Sequence, residues 1–296
     1  MRLQNHLRFL WDNLKSFDTQ RAKNLTPFEQ RLVENCCKDS LNPLLVDPKP
    51  INSVPKFKSS AYSYDWYRVF GDKDERLCQY QFGDVDFTFE QATFTKSRPI
   101  SDYNANSVLL PFDSIRHFTF IDDSKKFETK NNIALWRGAA YQPHRKLFLK
   151  ATNGLDIVDI ADTAIKPQST LRSKPATYLS FKKQLANKFI FAIEGNDVAS
   201  NLKWVMGSNS LPIMPKPKYE TWFCESFLVA GQHYIEIAPD FSNTQEILDY
   251  YLSNLKLTSE INKESKEYAA NFRNRKRMFE LARVVAERYF ELTQTI

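Results

Sequence analysis

Between residues 188 and 237 the apolar positions gather into three short uninterrupted runs, Phe189–Ile193, Leu211–Met214 and Tyr234–Ile237. Continuous apolar runs of this length, bounded by polar and proline-containing stretches, read as strands buried on both faces. Two helix-length segments separate them, so the pattern predicts β-α-β-α-β with parallel strands. In such sheets ligands sit in the crevice beyond the carboxyl ends of the strands. Each run here gives way to polar residues: Glu194-Gly195-Asn196-Asp197, then Lys216-Pro217-Lys218, then Pro239-Asp240. This half of the chain reads as a holder for a charged small molecule.

Elsewhere the pattern is more varied. Leu3, Leu7, Leu10, Trp11, Leu14 and Phe17 recur at helical spacing. With few basic residues on the opposite face, that first helix is expected to pack against a domain rather than lie on a membrane. A proline-punctuated stretch covers residues 42–55, and residues 61–70 form an aromatic-rich segment compatible with helix or strand. Short strands with loops are predicted over 84–122, including FTFEQATF and HFTFID. Residues 125–132 are charged and polar, which suits a hinge, and Ile133–Trp136 opens a new strand. Residues 260–294 lack proline and glycine and keep an apolar face through Tyr268, Phe272, Phe279, Ala282 and Tyr289, predicting one long terminal helix. The organisation expected is an N-terminal domain over 1–130, a second domain over 131–255 and a terminal helix over 256–296 bracing both.

At 296 residues, 42% apolar, 26% charged and 14% aromatic, the composition is that of a soluble globular protein. The formal net charge of +6 favours polyanionic surroundings such as anionic lipid headgroups or a phosphorylated substrate. The basic residues are dispersed, which reads as a solvated surface, so nucleic acid is not an expected partner. Cys36, Cys37, Cys78 and Cys224 show neither metal-type spacing nor a disulfide framework, consistent with a reducing compartment. The first residues lack an uninterrupted apolar stretch of signal type, and no apolar run approaches the roughly 18 residues that span a bilayer. A cytoplasmic location is expected, with membrane contact at most peripheral.

Dinucleotide, phosphate-loop, zinc-protease and serine-hydrolase signatures are all absent. Of the histidines, His117 reads as a packing residue heading a strand, and His144 falls in a polar loop. Trp136-Arg137-Gly138 closes a predicted strand, with Arg145 further along. Two guanidinium groups at a strand's carboxyl end suit a diphosphate, and glycine lets a ligand approach the backbone. The plainer alternative for Arg137 is an ion pair with a neighbouring carboxylate. Asp197, Ser200 and Lys203 open a predicted helix, whose N-terminus attracts phosphate, although simple capping by Asp197 or Ser200 would also account for them. Glu220 and Glu225 fall on a further predicted helix.

Taken together, WRGAAYQPHRK, EGNDVASNLKWVMGSNS and MPKPKYETWFCE…HYIEI resemble the lipopolysaccharide-type glycosyltransferases of family 90, and KSRPISDYNANSVLLPF resembles its bacterial members. The resemblance covers roughly residues 60–255. It implies an α/β protein of the GT-B type, with two Rossmann-like domains facing a central cleft and a nucleotide-sugar donor used without an essential metal or other cofactor. By similarity, Arg137 and Arg145 match the diphosphate-binding arginines, and Ser200 and Lys203 the second donor motif. Ser208, Asn209 and Ser210 would line the base and ribose, with Glu220 or Glu225 on the ribose. Studied members invert configuration, which requires a base. The eukaryotic members' aspartate just after an arginine is replaced here by Arg98-Pro99, leaving Asp102 as the nearest carboxylate and Asp86 in reserve. The expected activity is hexose transfer from a nucleotide diphosphate sugar, UDP-linked by expectation, to a lipid-linked oligosaccharide of the lipopolysaccharide core, at the inner face of a bacterial inner membrane.

Two other readings compete. A metal-dependent GT-A enzyme would use an Asp-x-Asp triplet, and Asp72-Lys73-Asp74 and Asp84-Val85-Asp86 both fit that short pattern. A non-enzymatic polyanion-binding protein would rest on the basic run Arg273–Arg277.

Overall fold

The computed structural model describes residues 24–44, 46–55, 60–164 and 178–293. The amphipathic segment expected over Leu3–Phe17 lies outside the described residues. The chain divides into two compact units, one built from residues 24–114 and 274–293, the other from 115–273. The expected boundary near residue 130 falls inside the second unit.

The first unit opens with helix α1 (Pro27–Cys36), started by a capping box in which the Thr26 side chain accepts from Glu29 N–H and the Glu29 carboxylate accepts from Thr26 N–H. The ambiguity over residues 61–70 resolves as helix α2 (Ser60–Phe70), which buries Trp66 and Tyr67. Strands β1 (Lys49–Pro50) and β2 (Leu77–Cys78) pair antiparallel. Strands β3 (Tyr80–Gln81), β4 (Thr93–Thr95) and β5 (Ser107–Leu109) form a small parallel sheet in the order β3-β4-β5. Trp66 of α2 is fully buried between Phe112, Phe94, Phe70 and Tyr80. The expected strand over HFTFID is not formed. His117 instead ends a short helical turn, Ser114–His117, and residues 118–122 are irregular.

The second unit contains the parallel sheet that the three apolar runs predict. Strands β6 (Asn131–Gly138), β7 (Val158–Asp162), β8 (Asn187–Phe191), β9 (Leu211–Met214) and β10 (Ile235–Glu236) are all parallel, in the order β10-β9-β8-β6-β7. Every residue of β8 and β9 is buried, as a strand covered on both faces requires. Helix α3 (Pro143–Thr152), with proline in its first turn, comes after β6. Phe148 of α3 packs on Trp136, Phe191 and Phe241 in the main core. Between β8 and β9 the helix α4 (Leu202–Met206) has only five residues. Helices α5 (Thr244–Ser253) and α6 (Leu255–Ala270) complete the unit.

The expected terminal helix is broken. The chain turns over residues 271–274 and restarts as α7 (Arg275–Thr293), which belongs to the first unit. Two asparagines account for the break: Asn271 Nδ2 donates back to Glu267 O and Tyr268 O, and Asn274 Oδ1 accepts from Arg277 N–H. These three bonds occupy backbone groups that a helix end leaves unpaired. Arg277 then grips Glu29 of α1 with Nε at 2.6 Å and Nη2 at 2.9 Å.

At the amino-terminal edge of the parallel sheet, Lys130 is buried with its ammonium on Asp123 Oδ2 (2.7 Å), Ser210 Oγ (2.8 Å) and Leu185 O. Asp123 is also nearly inaccessible. Removing one partner of such a pair leaves the other charge buried and alone. Lys130→Ala is therefore expected to destabilise the protein by about 3–5 kcal/mol, read as a lowered urea midpoint; an unchanged midpoint would show that water reaches Asp123 freely.

Candidate active site

The strand order places a topological switch point between β6 and β8, since the chain leaves β6 outward to β7 and returns to β8 on the other side. At such a point the loops diverge, and in parallel sheets this is where ligands bind, beyond the carboxyl ends of the strands. Arg145 of α3 spans this point. Its Nε donates to Glu194 O (2.8 Å), Nη2 to Ile193 O (2.8 Å) and Nη1 to Ala139 O (3.0 Å), joining the loop after β6 to the end of β8. His144 Nε2 also meets Glu194 O at 2.8 Å, and Gln142 Nε2 donates to Asn196 Oδ1 at 2.9 Å. Burial, then the positive charge of Arg116, hold the Arg145 guanidinium below the ordinary arginine range, with Asp197 opposing. Gly195 fits beside it, because a Cβ there would lie 3.3 Å from Arg145 Nη2.

Glu194 is the next element of the crevice. Its Oε1 accepts from the backbone N–H groups of Lys218 (2.9 Å) and Tyr219 (3.2 Å), tying the loop after β9 to the end of β8. Burial pushes its carboxyl up to about 7; the two N–H donors and the Lys218 charge pull the other way, and the Glu225 charge adds to the rise. A carboxyl that titrates near neutrality at a strand-end crevice is a functional-site signature. Glu194 is absent from the ligand-binding residues expected above, although the rule about carboxyl ends points to it as the first polar residue after the apolar run.

The expected donor residues fall into separate groups. Arg137, next to last in β6, has Nη2 on Asp159 Oδ1 (2.7 Å) and Nη1 on Trp136 O and Asp159 O, so the plain ion pair is what the structure contains. The neighbouring glycine has a packing reason: a Cβ on Gly138 would come within 2.6 Å of the Trp136 ring. Lys203 and Glu225 come together as a buried ion pair, and the Glu225 carboxylate also accepts from Thr221 N–H (2.7 Å) and Thr221 Oγ1. The helix expected for Glu220 and Glu225 is absent. Glu220 lies on a short extended segment, Tyr219–Thr221, bonded by Ser226 Oγ, and Glu225 starts a single 3₁₀ turn. Nor does a helix open at Asp197. Residues 197–199 are bent and irregular, the half-buried Ser200 begins a turn, and Asn201 Nδ2 donates to Phe191 O (2.9 Å) just ahead of α4.

Ser208, Asn209 and Ser210 precede β9, which puts them at the amino-terminal edge of the sheet, opposite to Glu194. The α4 turn carries the chain back across the sheet, so residues after it cannot share the crevice at the carboxyl ends. There Asn209 bonds Asp123 and Lys266, and Ser210 joins Lys130. A polar cavity of about 300 Å³ opens beside them, lined also by Asp122, Gly207 and Arg273. Asp102 lies in the first unit on an exposed turn between Pro99 and Ser107, and Asp86 is exposed in the loop ahead of β4. Of the Asp-x-Asp triplets, Asp74 is held by Arg76 and Asp84 by Lys96. Among the described residues no three His, Cys, Asp or Glu side chains gather as a metal-binding group.

Residues 112–295 match the glycosyl transferase family 90 profile, covering the whole parallel sheet and its crevice. The chain is also 37% identical, over 242 residues, to the O-glucosyltransferase LpsA of Dichelobacter nodosus, an alignment covering 81% of this chain and 75% of that protein.

The chain belongs to glycosyltransferase family 90.

It is thus a glycosyltransferase enzyme of mixed α/β fold with parallel sheets. Glycosyl transfer needs a sugar donor and an acceptor. Among the described residues no helix is long and apolar enough to cross a membrane.

Glu194 makes stability depend on pH in a defined direction. Its folded-state proton affinity is raised, so between about pH 4.5 and 7 the native state holds more protons than the unfolded chain. The stabilising contribution is complete below that window and lost as pH rises through it. Glu194→Gln should gain melting temperature relative to the parent on going from pH 5 to pH 8; parallel pH profiles would show that Glu194 titrates normally.

Proposed function

We propose that this family 90 enzyme transfers a hexose, glucose in the first instance, from a UDP-sugar to a lipopolysaccharide or lipooligosaccharide core at the inner face of a bacterial membrane. The observation that carries the reading is the 37% identity to the O-glucosyltransferase LpsA over 81% of the chain. A parallel sheet in each unit supports a GT-B type arrangement, with the donor on the second unit and the acceptor meeting the first. The net charge of +6 suits a phosphorylated acceptor and an anionic leaflet.

In the proposed reaction the acceptor hydroxyl loses its proton to a carboxylate as its oxygen attacks the anomeric carbon. The bond from that carbon to the diphosphate breaks, and the leaving diphosphate takes the electron pair. Fixed positive groups aimed at that developing charge lower the barrier without a metal. Arg145 is the better placed of the two arginines: three of its five N–H groups hold backbone carbonyls, which fixes the plane of the guanidinium and leaves donors over. Arg137 would contribute through Nε, which is buried without a hydrogen-bond partner, or by releasing Asp159. Asp102 is the proposed base, with Asp86 in reserve; both are exposed carboxylates of the first unit.

Two tests bear on this. Purified enzyme with UDP-glucose and a truncated lipooligosaccharide should turn over fully in EDTA, whereas strict dependence on a divalent cation would favour the GT-A alternative. Asp102→Asn should lower the rate by about a hundredfold or more with donor affinity and melting temperature intact. If that variant matches the parent, the base lies elsewhere.

A further inference from the structure

We propose that the Glu194 carboxylate accepts a hydrogen bond from a hydroxyl of the donor and so acts as a specificity determinant for its polyhydroxylated part. The inference rests on the nucleotide-sugar reading above and names the group that reads the sugar or ribose.

Glu194 stands at the carboxyl end of β8, the central strand of the sheet, beside the switch point where ligands of parallel sheets bind. Its side chain is fixed before any ligand arrives, because Oε1 takes both the Lys218 and the Tyr219 N–H groups. The other oxygen, Oε2, takes no hydrogen bond from a described residue and is not sealed from solvent. A half-committed carboxylate of this kind is a preformed acceptor.

Charge decides what it accepts from. Once ionised, above about pH 7, the Glu194 carboxylate would repel a phosphate, whereas a hydroxyl donates to it in a charge-assisted bond. The adjacent carbonyls of Ile193 and Glu194 are held by Arg145, whose remaining donors suit the phosphates. Anionic and hydroxyl-bearing parts of one ligand would thus be sorted over a few ångströms. The carboxylates implied for the ribose by family resemblance are committed elsewhere: Glu225 to Lys203 and Thr221, and Glu220, also buried, to Ser226. Glu194 takes the role they leave open.

The test is calorimetric titration of the full chain and its Glu194→Gln variant with UDP-glucose, UDP, 2′-deoxy-UDP and 3′-deoxy-UDP. Glutamine keeps an oxygen for the two N–H donors and replaces the uncommitted oxygen by a donor group, so the ligand-free melting temperature serves as the control for folding. Glu194→Gln is expected to bind UDP-glucose about tenfold or more weakly. A loss shared by UDP, and missing with one of the deoxy forms, assigns the contact to the ribose. A loss seen with UDP-glucose while UDP is unaffected assigns it to the hexose. Equal affinities of the two proteins for all four ligands would overturn the Glu194 assignment and leave the donor reading standing. Failure of the parent protein to bind UDP-glucose would overturn that reading and this assignment with it.

Discussion

Where a parallel sheet splits at its switch point, backbone carbonyls at the strand ends lose their sheet partners, and an unpaired buried carbonyl costs about as much as a lost hydrogen bond. Here one guanidinium collects three of them, from Ala139, Ile193 and Glu194. Arginine is suited to this because its donors lie in one rigid plane, so fixing the carbonyls also fixes the cation. His144 and Gln142 come from the start of the same helix, and Glu194 extends the connection to the loop carrying Lys218.

The parts of this fold that are legible in the amino-acid sequence are those set by local periodicity. Phe189–Ile193, Leu211–Met214 and Tyr234–Ile237 announce buried parallel strands because a strand covered on both faces has no polar side to show. Residues 61–70 are ambiguous since aromatic side chains suit either helix or strand until their burial is known. The terminal break escapes a periodicity reading because asparagine is tolerated inside helices; its capping role emerges only when Asn271 and Asn274 are seen bonding to nearby backbone.

The candidate site is harder to read, for a different reason. Lys203 and Glu225 each look available along the chain, and only the tertiary structure brings them into one buried pair. Ser208, Asn209 and Ser210 look continuous with the Glu194 segment, yet α4 reverses direction and delivers them to the other edge of the sheet. Arg145 stands out in sequence as a ligand-binding group alone; the carbonyls that orient it are backbone atoms, which no pattern of side chains displays. Glu194 is visible by position, and its environment gives it weight.

The division of the chain carries a consequence for its synthesis. The unit holding the large parallel sheet is continuous, whereas the other combines the beginning of the described chain with α7 near its end. In that first unit Phe94 of β4 lies against Tyr289, with ring centroids 4.1 Å apart, and Arg277 grips Glu29. A chain emerging from the ribosome amino end first would ordinarily complete its leading domain first. In this enzyme α7 is made after the whole of the second unit, so the face of the first unit that holds Phe94 gains its Tyr289 partner only once the inserted unit has been synthesised.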